Sequence, residues 1–236
     1  MFYKIFMIVM GSLGSFSYLA GMHHQKSPDP LYQVMQMHEH AREGALEKVR
    51  LLLPQANTTE EKEAQIVFVN TKYAGSTALH QAAVGGSVDC LRLILNCGAY
   101  KTIRDGCGAI ALFNTVVNAH LEALQFLLDS NMSVHARNSD GRTPLHCAVI
   151  NFKDARRAQY LACITLLGSH GADVNVLDES GVRPIGYSNG ADRAAIQAAL
   201  DLGFEQRQAR ILQMVPIIEA CTPLPSTVAL LTASYT

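Results

Sequence analysis

The residues in this sequence whose types could do chemistry are its histidines and cysteines, and their spacing decides what they can do. His80 and His146 stand in two alike runs, Thr77-Ala78-Leu79-His80 and Thr143-Pro144-Leu145-His146. They invite a catalytic reading, yet they occupy one recurring position, which is how a repeat behaves. His38-Glu39-His40 lacks the i, i+4 spacing that sets two imidazoles on one helical face, as in H-E-x-x-H, and reads as ordinary helix surface. His23 and His24 lie in a polar stretch and could hold a metal only adventitiously. Cys90, Cys97, Cys107, Cys147, Cys163 and Cys221 form no C-x-x-C pair and no short Cys/His cluster. There is no G-x-S-x-G, no glycine-rich phosphate loop and no carboxylate pair marked out by spacing. The chain reads as a non-enzyme with no catalytic residue, metal site, cofactor or small-molecule substrate.

What positions those histidines is a turn followed by a capped helix. In Ser139-Asp140-Gly141-Arg142-Thr143-Pro144-Leu145-His146-Cys147-Ala148, Asp140-Gly141 supplies turn residues. Thr143 can cap the helix, and Pro144 sits at the first helical position, where no N–H is needed. The pattern recurs upstream as Gly108-Ala109-Ile110-Ala111-Leu112-Phe113 and, at the same interval again, as Gly75-Ser76-Thr77-Ala78-Leu79-His80-Gln81-Ala82. It returns downstream, after a somewhat longer interval, as Gly181-Val182-Arg183-Pro184-Ile185-Gly186. In that frame Cys90, Ala123 and Cys163 share a column, the mark of a small buried core position.

A period of 33 built on T-P-L-H-x-A is the ankyrin signature, and over roughly residues 31–203 the chain resembles the ankyrin-repeat family. The resemblance implies an all-α solenoid of helix-turn-helix units joined by β-hairpin-like turns. In that family the motif histidine ties neighbouring turns together through backbone groups. It also implies a protein partner, met by the concave face and the turn tips. Carried over unit by unit, the tip positions are Tyr73 and Ser76, then Arg104 and Ala109, then Arg137, Ser139 and Arg142, then Leu177, Glu179 and Val182. Arg104, Arg137 and Arg142 would form a local positive stripe.

Along the chain, Met1 to Gly21 carries Lys4 and then an apolar run, the layout of a signal peptide. The alternatives are a retained membrane anchor over residues 1–20 and an apolar helix packed on the first unit. Residues 22–30 read as a linker and 31–53 as an N-terminal cap, with Gly44 aligned to Gly86. Residues 54–65 read as an acidic, solvated loop. Four units follow at about 69–99, 100–132, 133–172 and 173–203, the third with seven extra residues after Ile150. In the second unit Ile110, Ala111 and Phe113 replace Thr, Pro and His, which predicts the loosest joint. Residues 204–236 read as a tail holding a helix, Glu205 to Val215, stopped near Pro216 and packed on the last unit. A net charge of −1 excludes a phosphate-binding surface and so a nucleic-acid partner. The chain is expected to be a monomer, secreted or periplasmic, with a membrane-anchored or cytoplasmic form as the alternative.

Overall fold

The computed structural model describes residues 29–221, apart from 55, 154 and 155. The leader at 1–21, most of the linker and the tail beyond 221 fall outside the described residues. Helices α1 (Pro30–Glu43) and α2 (Leu46–Leu52) form an N-terminal pair, followed by α3 (Thr59–Asn70). Three pairs come next: α4 (Ala78–Gly85) with α5 (Val88–Asn96), α6 (Ala111–Val117) with α7 (Leu121–Asp129), and α8 (Pro144–Ile150) with α9 (Arg157–Ser169). The last unit has one 3₁₀ turn, Pro184–Tyr187, and then α10 (Gly190–Cys221).

Inner and outer helices are built differently because they face different neighbours. Inner α4 sits between flanking units, and Ala78, Leu79, His80, Ala82 and Ala83 are all buried, with three alanines letting backbones approach. Outer α5 buries only Cys90, Leu91 and Ile94, one face of a 3.6-residue period. Leu79, Leu112 and Leu145 fill the inner column, and Cys90, Ala123, Cys163 and Ile196 fill the outer one, all with at most 1% exposure. Burial pushes the Cys163 thiol up to about 12 and raises Cys90, so both stay protonated, unreactive core residues. Each outer helix of the first three full units ends on a left-handed residue, Gly98 (φ +90°), Asn131 (φ +61°) or Gly171 (φ +82°).

Four expectations change. Pro30, placed in the linker, opens α1, with the Asp29 carboxylate accepting the Leu31 N–H at 3.0 Å. The acidic stretch 54–65 is no solvated loop: Thr58 and Glu61 form a reciprocal capping box that starts α3, and Ala64, Phe68 and Val69 are buried. Asn70 then fastens the end of α3 to the turn after α5, donating to the Gly98 carbonyl at 2.9 Å and accepting the Tyr100 N–H at 2.7 Å. The last outer helix and the separate tail helix are one continuous helix that passes Pro216. It packs on α9 closely enough at Gly203 that a Cβ there would stand 2.3 Å from the Thr165 carbonyl oxygen. Ile211 and Leu212, expected to pack on the last unit, are 38% and 65% exposed.

The seven extra residues lengthen α9 and brace three units. Phe152 and Tyr160 are buried, the Tyr160 hydroxyl donates to the Val117 carbonyl at 2.7 Å, and Arg156 donates to the Asn118 carbonyl at 2.8 Å. Arg157 pairs with Asp192 on α10 while its guanidinium lies 4.8 Å from the Phe152 ring centre.

Candidate binding surface

The turn tips of the second to fourth units share one backbone device. At the first turn position an Asx oxygen accepts two N–H groups of its own loop. The Asp105 oxygen takes Cys107 and Ala109 (2.8 and 3.0 Å), the Asn138 oxygen takes Asp140 and Arg142 (3.1 and 2.9 Å), and the Asp178 oxygen takes Ser180 and Val182 (2.9 and 3.0 Å). The first unit has Lys72 there and closes differently, with Ala74 and Gly75 both at positive φ between the bridged Tyr73 and Ser76. The pattern Asp/Asn at 105, 138 and 178 is present in the sequence and marks these loops.

The motif histidines serve the joints between units. Thr77 N–H donates to His80 Nδ1 (3.3 Å), so the proton sits on Nε2, which donates to the Ala109 carbonyl of the second unit (3.2 Å). His146 repeats this with Thr143 N–H (3.1 Å) and the Val182 carbonyl (3.1 Å). Burial pulls both imidazoles below their ordinary range, so they are neutral at pH 7, with both ring nitrogens committed to the joints. His38 was expected on the surface and is instead buried in this same column; it precedes His80 by the same offset that separates Gly44 from Gly86. That offset was the readable signal. Among the described residues no group of three metal-ligating side chains converges.

The predicted tip residues divide into two sets. Arg104 donates to the carbonyls of Gly108 and of Arg137 in the next unit, and Arg137 repeats the reach, donating to the Leu177 carbonyl at 2.7 Å. Arg142 is ion-paired to Asp140 (3.0 Å) and Asp178 (3.6 Å), with its guanidinium 5.4 Å from the Tyr187 ring centre. The Tyr187 hydroxyl donates to Asp178, and that bond, with the Val182 and Ser180 N–H groups, holds the Asp178 carboxyl down to about 2. The three arginines are therefore joint ties before they are a stripe, and Arg142 is charge-compensated. Tyr73 turns inward, edge-on to His38 at 5.9 Å. Ser76 is half-buried and accepts from Gln81 at 2.8 Å. Ala109 is buried beneath its tip and Val182 is half-buried. Ser139, Leu177 and Glu179 remain exposed, side by side at the tips of the third and fourth units.

On the opposite side, a groove of about 760 Å³ crosses the outer helices, with Val88, Leu121, Phe126 and Leu166 along it and Leu202 at the α10 end. This groove lies away from the concave side and turn tips, where the repeat register places the contact.

A stack of helix pairs, each touching its neighbours and displaying pinned turns along one edge, is the build of a repeat scaffold. The family model for ankyrin repeats matches residues 11–105 and 101–178, and the chain belongs to the ankyrin-repeat family, whose members are protein-interaction scaffolds. It is 29% identical over 137 residues to an ankyrin repeat protein of Rickettsia felis, covering 57% of this chain and 40% of that one. It is 27% identical over 117 residues to protein phosphatase 1 regulatory subunit 27 of mouse (49% and 70%), and 29% identical over 144 residues to the E3 ubiquitin-protein ligase KEG of Arabidopsis thaliana (61% and 8%). The chain thus spans well under two thirds of the Rickettsia and Arabidopsis relatives, and the shared part is repeat. Among the described residues no helix is long and apolar enough to cross a membrane.

Proposed function

We propose that the chain is a non-enzymatic scaffold that binds a protein partner through its turn tips and concave face, with Leu177, Ser139 and Glu179 at the centre of the contact. The observation that carries this is the pinned tip. The Asx oxygens and inter-unit bonds fix the backbone before a partner arrives, so docking freezes out little entropy, and a half-exposed leucine stands there among polar groups. Tyr73, Ser76, Arg104, Arg137 and Arg142 contribute by holding the surface in shape. Exchanging the arginines for glutamate would therefore damage the stack along with any contact.

A photo-crosslinking residue placed singly at Leu177 or Ser139, with Glu122 on the outer groove as control, tests the surface in native cells. A discrete adduct from the tips alone, lost when Glu179 is changed to Lys in the same chain, is the expected outcome. Adducts from Glu122 alone would move the contact to the outer groove. The charged start and apolar run of residues 1–20 support an exported protein. Amino-terminal sequencing of the native protein tests that, because a retained Met1 contradicts cleavage.

A further inference from the structure

His38 is the one motif-column histidine left without a hydrogen bond. It lies on α1, 4% exposed, with neither ring nitrogen bonded to a partner. It shares the buried face of α1 with Val34, Met37 and Ala41, and the Tyr73 ring stands edge-on to it at 5.9 Å. The Thr71 backbone favours a proton on His38, but burial outweighs it. A protonated imidazole carries two N–H donors and a full charge, and burying both without partners is costly.

We propose that the N-terminal pair α1–α2 is an acid-released cap, undocked from α4 when His38 takes up a proton. The titratable group facing His38 from α4 is His80, whose Nδ1 is committed to the Thr77 N–H and which, once protonated, opposes a charge on His38. On the hairpin, Lys72 adds positive charge near His80, and Asp105 opposes it from the second unit. On the outer side of α1, His40 is matched with Glu43 at 3.3 Å. The charged residues of α2, Glu47, Lys48 and Arg50, are solvent-exposed. No carboxylate is paired with His38 among the described residues.

Desolvation holds docked His38 down to about 4 against an ordinary 6.5. The sign is fixed by that direction: docking is fully favoured above pH 6.5 and is weakened as pH falls toward 4, since the undocked form binds the extra proton. At pH 5 the opening equilibrium should be about 30-fold larger than at pH 7.5. Release would uncover the α4 face around Leu79 and Ala82, the surface a terminal unit exists to shield. The column supplies its own control, since Phe113 fills the equivalent position in the second unit with an apolar ring that cannot titrate.

Hydrogen exchange on the full chain, corrected for intrinsic rates, tests the cap at pH 7.5 and 5.0. Protection of residues 34–43 should fall about 30-fold in the parent and stay level in His38→Phe. Equal losses in both, or no loss in the parent, overturn the proposal. If His38→Phe does not fold, the ring resonances of His38 decide it. An imidazole still neutral at pH 5 in the docked chain supports the cap, and one that titrates at or above 6.5 overturns it.

Discussion

The joint between the second and third units and the joint between the third and fourth do the same job with different chemistry. At the later joint His146, Arg137, Arg142, Asp178 and Tyr187 form a connected polar network across the boundary. At the earlier joint Phe113 takes the histidine position, Ile110 offers no side-chain cap, and the boundary relies on Arg104 at the tips and on Tyr160 and Arg156 at the far end. One is held throughout its depth by directional bonds. The other is packed apolar in the middle and clasped at both edges. Arg156, within the extra residues of the third unit, and Tyr160 just after them thus compensate, at a distance, for a lost motif residue.

Removing Asp178 should do most to erase this difference. Asp178→Ala strands two loop N–H groups and the Tyr187 hydroxyl and takes one of its two carboxylates from Arg142, and should lower the unfolding temperature more than any other tip substitution. Asp105→Ala, which removes the same loop bonds without the network, should cost only about 1–2 kcal/mol by denaturant titration. Equal effects would dissolve the contrast.

His146→Phe copies the earlier joint into the later one and should cost about 2 kcal/mol, through the lost cap and the Val182 carbonyl left without its imidazole donor. It should also remove part of the acid sensitivity. His146 is held low by burial, so its share of stability is complete above pH 6.5 and declines as pH falls below that value. The unfolding temperature of the parent should therefore drop more between pH 7 and 5 than that of His146→Phe.

Tyr160→Phe tests the clasp. It leaves the Val117 carbonyl without its donor and should cost about 1 kcal/mol, with the loss confined to the earlier joint in amide exchange. The smallest effect is expected from the reverse graft. Ile110→Thr with Phe113→His supplies the motif cap and a donor toward the Arg142 carbonyl, for a gain of about 1 kcal/mol less the cost of refitting a buried ring. A clear net loss of stability in that double variant would mean that the apolar joint is already the better solution.

Much of this build was legible in the sequence because repetition averages out local ambiguity. The recurring turn and Leu79, Leu112 and Leu145 fixed the inner column, and the spacing of the units put Cys90, Ala123 and Cys163 in the core. Single, unrepeated features were harder. The Thr58-x-x-Glu61 box was present as a helix start, but three nearby glutamates gave it the look of solvated loop. His38 lacks the Thr-x-Leu that flags His80 and His146, so only the glycine offset could place it. A proline ordinarily ends a helix by removing a donor, yet α10 continues past Pro216. The roles of Arg104 and Arg137 were illegible for another reason. A long side chain's choice between solvent, a partner and the next unit's carbonyl depends on loop geometry that spacing does not encode.

Two equivalent amides report directly on the joints. Ser139 N–H donates to the Cys107 carbonyl across the earlier joint, and Glu179 N–H donates to the Asp140 carbonyl across the later one, both at 3.0 Å. Their native-state hydrogen exchange at neutral pH is the decisive measurement. If the polar network makes the later joint firmer, Ser139 exchanges at least ~10-fold faster than Glu179 after correction for intrinsic rates, a difference of about 1.4 kcal/mol in opening free energy. Equal protection, or a slower Ser139, would show that the clasps have fully replaced the histidine and would contradict the contrast between the two joints.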